Sequence, residues 1–257
     1  MVIEHIEKSW KAYRKNFWPI ITAMVLQFIL VGIPFLIGII PWVFIFLSYR
    51  TVDMITLLMS NLGALSFSLI MFAIGFLISI ALTGGFVKML YEALRGKTKY
   101  ETMLKTAKEK FWTIIGANSL FILILLVLFI AVFSPLFILT GFSTTFSGAG
   151  SLTLLITIFS IATLGSILII LVSIFFVFIN QAIVIDNLNA IDSVNKSFEV
   201  SKKSYLTILG LMIIFILLNS ALVNLFSFFG TVLEAFVVTP LLLLSYTSVY
   251  LEKRRKK

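Results

Sequence analysis

The chain has 257 residues, 60% of them hydrophobic and 12% charged, with a formal net charge of +9. A soluble domain carries about a quarter charged and about half apolar residues, so a water-soluble fold is excluded and lipid has to solvate much of this surface. The basic excess does not point to nucleic acid either, because the cations stand between apolar segments, where anionic headgroups meet them.

The N-terminal arm places Ile3, Ile6, Trp10, Tyr13 and Phe17 at spacings of three and four, which is one face of a helix. Lys8, Lys11, Arg14 and Lys15 surround that face, and the pattern predicts a helix lying in the headgroup plane. The apolar run from Phe17 to Leu47 is far longer than the core of a cleavable signal, so a retained first span is expected. Its 31 residues would measure about 46 Å as a helix, against a hydrocarbon core of about 30 Å. Gly32, Pro34, Gly38 and Pro41 predict where it bends or breaks, with the remainder turning back along the outer interface.

A polar link, "SYRTVD" (48–53), leads to a second predicted span at 62–90. A second stripe follows in Tyr100, Leu104, Ala107 and Phe111, among Lys105, Lys108 and Lys110. The third and fourth spans are predicted at 111–139 and 152–180, joined by the uncharged "GFSTTFSGAG" (141–150). The third stripe is Ile191, Val194, Phe198 and Tyr205, interrupted by Ser201 and flanked by Lys196, Lys202 and Lys203. Spans at 205–228 and 232–251 close the chain around a tight turn near Gly230. Helices are required because the backbone must satisfy its own hydrogen bonds in lipid. Strands would alternate polar and apolar residues, and "LFILILLVLFIAVF" (120–133) does not.

The stretches "YRKNFWPIIT" (13–22), "AKEKFWTIIG" (107–116) and "SKKSYLTILG" (201–210) share a pattern, and Phe17, Phe111 and Tyr205 lie 94 residues apart without gaps. This predicts an all-α integral membrane protein, one polytopic domain over 1–257, built from three two-helix repeats at about 1–94, 95–188 and 189–257. An even number of spans per unit makes the repeats parallel, with their axis along the membrane normal. Nineteen of the 20 basic residues fall on one side under this scheme, and Arg50 alone falls on the other. Positive-inside bias therefore predicts a multi-pass protein of the cell membrane with both termini and all three amphipathic helices cytoplasmic. Trp10, Trp18 and Trp112 then mark the inner boundary and Trp42 the outer.

Mitochondrial carriers also use three two-span units, but their Pro-x-acidic-x-x-basic signature begins at none of Pro19, Pro34, Pro41, Pro135 or Pro240. The stretches "AIVIDNLNAIDSVNKSFEVSKKSYLTILG" (182–210) and "TPLLLLSYTSVYLEKR" (239–254) instead resemble uncharacterised six-span families related to the glycerophosphoryl diester phosphodiesterase membrane domain. Asp186, Asn187, Ala190, Ser197, Phe198, Pro240 and Tyr250 carry the resemblance. Asn180–Gln181 stand where such families often have proline, and Leu251-Glu252-Lys253 where Asp-Leu-Arg is expected. The resemblance implies a membrane domain of unsettled activity and no phosphodiesterase, since the catalytic barrel is absent.

Chemistry is sparse. Cysteine is absent, which removes disulfides and thiolate metal sites, and no cofactor is expected. His5, the single histidine, has Glu4 and Glu7 beside it and reads as part of a solvated helix face. "RGKT" (95–98) imitates the end of a phosphate loop, but position 91 is tyrosine where glycine is required. The serines and threonines of the spans have no Lys or His at comparable depth to activate them. Gln27, Asn118, Asn219 and Asn224 are the polar residues at depth, with Asp186 at the inner boundary and Glu234 at the outer. Interhelical hydrogen bonding is their ordinary use.

The expected function is therefore a non-enzymatic membrane protein that organises or senses lipid, with anionic lipids as partners. Arg14, Lys15, Lys108, Lys110, Lys202 and Lys203 are the candidate headgroup-binding residues. The alternative is a permease or channel for a small solute, its polar path lined by Gln27, Asn219, Asn224 and Glu234.

Overall fold

The computed structural model describes residues 2–48, 56, 59, 61–143 and 150–254. Among them the elements are α1 (Val2–Lys15), α2 (Phe17–Ser48), α3 (Leu62–Arg95), α4 (Tyr100–Glu109), α5 (Phe111–Ser143) and α6 (Gly150–Ser173). A 3-10 turn (Ile174–Phe176) leads to α7 (Ile179–Ile185), followed by α8 (Ala190–Phe226) and α9 (Phe228–Leu233). A π-helical segment (Glu234–Val238) then leads into α10 (Thr239–Lys253). No strand occurs among the described residues.

Six stretches are long and apolar enough to cross a membrane: Phe17–Leu47, Leu62–Arg95, Phe111–Ser134, Ile156–Ile185, Ala190–Phe226 and Phe228–Lys253. Each overlaps one predicted span. The expected break in the first span is absent, because α2 continues through Pro34 and Pro41 as one helix of 32 residues. Its neighbour explains the continuity. A Cβ at Gly38 would lie 2.6 Å from the Phe72 ring, and one at Gly75 would lie 2.9 Å from the Phe35 ring. The two glycines thus let α2 and α3 close together, and Phe35 stacks on Phe72 at 5.7 Å. In lipid a helix also has no water to take up hydrogen bonds released by a break.

Short helices lead into three of the spans through single-residue joints. Asn16 separates α1 from α2, and Lys110, at φ −105° and ψ 11°, separates α4 from α5. The third lead-in is fused with its span, since α8 runs from Ala190 through Ser204, which is non-helical at φ −125° and ψ 15°. The ladder bridges two of the joints: Ile20 N–H donates to the Asn16 carbonyl at 3.1 Å and Ile114 N–H to the Lys110 carbonyl at 2.9 Å. Asn16, Lys110 and Ser204 are 94 residues apart.

Each lead-in packs on a span other than its own: α1 on α10, α4 on α3, and the first part of α8 on the 3-10 turn and α7. Side chains of the same register are buried in all three. Ser9, Met103 and Ser197 are fully buried, as are Ile20, Ile114 and Ile208, and Ala23, Ala117 and Leu211. Beyond this base, α2 pairs with α3, α5 with α6, and α8 with α9 and the π segment. The core lies at the base, around Phe178, Met89, Leu90, Leu244 and Tyr250. Farther along the spans, Phe28, Phe44, Phe46, Phe159, Leu164 and Leu225 stay exposed, which suits a lipid solvent.

The apolar stripes divide between two surroundings. Tyr13 and Ala107 enter the core, whereas Ile3, Trp10, Phe17, Tyr100, Ile191 and Phe198 remain exposed. The helical face turned into the bundle is instead rich in small polar residues: His5 and Ser9 in α1, and Ser193, Ser197, Ser201 and Ser204 in α8. Small side chains permit close backbone approach, which an apolar stripe does not reveal. The turn near Gly230 is tight as expected. Ser227 adopts φ 45°, and a Cβ at Gly230 would strike the Leu222 carbonyl. The third hairpin turns here, 22 residues past Ser204, whereas α5 runs for 33. Of the connections expected at 48–53 and 141–150, Ser48, 141–143 and Gly150 lie in helices, and the rest, Arg50 included, with tail residues Arg255, Lys256 and Lys257, lies outside the described residues.

Candidate functional site at the base of the bundle

Three carboxylates stand at the base ends of α3, α7 and α10. Glu92 accepts from Thr102 Oγ1 at 2.9 Å and from Thr98 Oγ1 at 3.3 Å. Asp186 accepts from the Tyr250 hydroxyl and from Arg254. Glu252 pairs with Lys253 at 2.7 Å. Around them, Lys88 Nζ donates to the Val184 carbonyl at 3.1 Å. Asn16 donates to the Gly96 carbonyl at 3.0 Å and accepts from Thr98 N–H at 3.1 Å. The bonds of Asp186, Lys88 and Asn16 join elements distant in sequence, and those to the Val184 and Gly96 carbonyls supply partners to polar groups that α-helix ends leave over. Asp186 and Tyr250, two residues that carried the family resemblance, thus meet in one cluster.

His5 corrects the expectation of a solvated face. It is 4% exposed, and its Nδ1 lies 3.0 Å from Ser248 Oγ. Its Nε2 lies 3.4 Å from Glu252 Oε2. Burial holds the imidazole below its ordinary pKa of 6.5; Glu252 and Glu4 oppose that shift, and Lys8 and Lys253 reinforce it. Next to this contact, Ser245 Oγ donates to Ser9 Oγ at 3.1 Å, and Tyr13 OH donates to the Phe236 carbonyl at 2.9 Å. The two ends of the described chain are thereby fastened side by side.

A cavity of about 460 Å³ opens over this contact, lined by Glu4, His5, Lys8, Arg95, Ser248 and Glu252. A second, of about 440 Å³, runs on between α1 and the end of α3, past Lys11, Lys15 and Gly96. Serine, imidazole and carboxylate in sequence are the parts of a nucleophile–base pair. Ser248 is 2% exposed, and its contact with His5 ties α1 to α10. Among the described residues, no cluster of three or more His, Asp or Glu is placed to hold a metal ion.

The candidate headgroup residues divide by environment. Arg14, Lys15, Lys108 and Lys202 are exposed. Lys110 donates to Asn187 Oδ1, and Lys203 pairs with Glu199 at 2.8 Å. The polar-path candidates form three separate pairs. Gln27 donates to Thr83 at 3.5 Å, Asn224 to Ser220 at 3.3 Å, and Asn219 to Glu234 at 3.0 Å. Asn118 donates to Asn180 at 3.2 Å, an interhelical bond of the expected kind. Sequence reasoning missed the His5–Ser248 contact, and no local pattern signals a pairing across 243 positions.

Six lipid-compatible stretches and a polar base define a multi-pass helical membrane protein. The model of a domain of unknown function, DUF7847, matches residues 38–251, and the chain belongs to that family. The match carries no link to the glycerophosphoryl diester phosphodiesterase membrane domain. No match is found among curated proteins or solved structures.

Proposed function

We propose that this is a non-enzymatic protein of the cell membrane that organises or senses anionic lipid through basic helices at its cytoplasmic face. The reading takes the base of the bundle as cytoplasmic, from the distribution of Lys and Arg. It takes the fold as three parallel copies of one unit, and the 94-residue recurrence of joints and buried positions supports this. Under that symmetry each lead-in helix covers the second span of the preceding copy, and α1 covers that of the last.

One observation carries the functional reading: the lead-in helices expose apolar side chains and cations together. In α1, Ile3 and Trp10 are exposed alongside Lys8, Lys11, Arg14 and Lys15, and in α8, Ile191 and Phe198 alongside Lys202 and Lys203. A helix fixed to a membrane domain, with oily and cationic groups both outward, suits the boundary between acyl chains and headgroups. The test neutralises Arg14, Lys15, Lys108, Lys202 and Lys203 to glutamine together and measures phospholipid retained after detergent purification. Anionic lipid is expected to fall relative to neutral lipid; an unchanged ratio in a folded variant rules the reading out.

A further inference from the structure

We infer that the base carries three seats for anionic phospholipid headgroups, one at each joint, of unequal strength and filled in a fixed order. The inference rests on the proposed lipid role but commits to discrete sites rather than a diffuse basic surface.

Arg14, Lys108 and Lys202 each stand two residues before a joint, 94 residues apart, and all three are exposed. Two residues after each joint come Trp18, Trp112 and Leu206, which are 75%, 81% and 79% exposed. At the first two joints, which the backbone ladder bridges, four residues is about one turn, so cation and apolar group share a side; at the third, Ser204 is non-helical and interrupts that register. The cation sits on the lead-in and the apolar group on the span. That pairing matches a phosphodiester, whose anion meets the cation while the indole lies at headgroup depth.

The seats differ in ways that rank them. At the first, Lys15 follows Arg14 and adds a second exposed cation. At the second, Glu109, which pairs with Lys105 at 3.9 Å, follows Lys108 and places a negative charge beside the seat, although Trp112 retains the indole. At the third, Lys203 is held by Glu199 at 2.8 Å and Leu206 replaces the indole, leaving Lys202 alone. The filling order is therefore first, second, third.

The test titrates the full chain, delipidated in neutral detergent, with phosphatidylglycerol and counts bound lipids by native mass spectrometry. Three successive lipids are expected. R14Q should remove the tightest, weakening the first step by about fivefold or more. K108Q and K202Q should each remove one further lipid, and R14K and K108R should restore binding. A control variant neutralises Lys8 and Lys11, away from the joints. If it weakens binding as much as the double variant R14Q/K108Q, the diffuse lipid role survives and the discrete seats fall. If neither variant changes binding, both readings fall. Displacement of phosphatidylglycerol by millimolar inorganic phosphate would assign the sites to free phosphate and overturn the headgroup seats.

Discussion

Protonating His5 is expected to loosen the contact between the N-terminal helix and α10. The groups around the imidazole are Glu4 and Lys8 on α1, Glu252 and Lys253 on α10, and Arg95 of α3 across the cavity. Burial lowers the pKa in the fold, so the ring there stays neutral to a lower pH than in the unfolded chain, where it titrates near 6.5. Above that value the two states bind the same number of protons. Below it the unfolded state binds more, and stability falls as pH drops. The measurement compares unfolding midpoints of wild type and His5→Gln in detergent at about pH 7.5 and 5.5. The wild type should lose more on acidification than the variant; equal losses would remove His5 as the cause. Asp186 and Tyr250 were visible beforehand through a family pattern. His5 was not, because its environment is made by residues at the far end of the chain.

Helix by helix, more was legible. Apolar runs locate spans because lipid leaves the backbone no alternative to its own hydrogen bonds, and all six fall where the runs do. The inward faces of the lead-in helices were hidden, since hydroxyl side chains read as polar surface until a partner helix is known. Proline misled for a related reason: α2 continues as one helix packed on α3, and a one-helix argument contains no α3. A direct check of the α1–α10 contact uses the absence of native cysteine. Ser9 and Ser245 have hydroxyl oxygens 3.1 Å apart, so the double variant Ser9→Cys/Ser245→Cys should form a disulfide under mild oxidation. Maleimide would then find no thiol. Two reactive thiols after oxidation would mean that α1 lies elsewhere.

For the whole molecule, the contact of His5 with Ser248 and Glu252 puts both ends of the described chain at one end of the bundle, as an even number of spans requires. The side of the membrane on which that end lies is testable with single cysteines at Tyr100 and Glu199, both exposed. A membrane-impermeant probe should reach both from the cytoplasmic side of sealed vesicles, and reaction from opposite sides would dismantle the proposed three-copy scheme. Function was the least legible level. Positive charge beside oily side chains states a solvent preference, and many membrane proteins share that preference.

The early turn at Ser227 also bears on the surrounding bilayer. A helix of 22 residues rises about 33 Å, and one of 32 rises about 48 Å. Acyl chains around this molecule therefore border a wall of uneven height: the shorter sector fits a core of about 30 Å, and the longer helices must lean or thicken the bilayer beside them. Such a notch gives the protein a preferred flank, where a thinner membrane costs least.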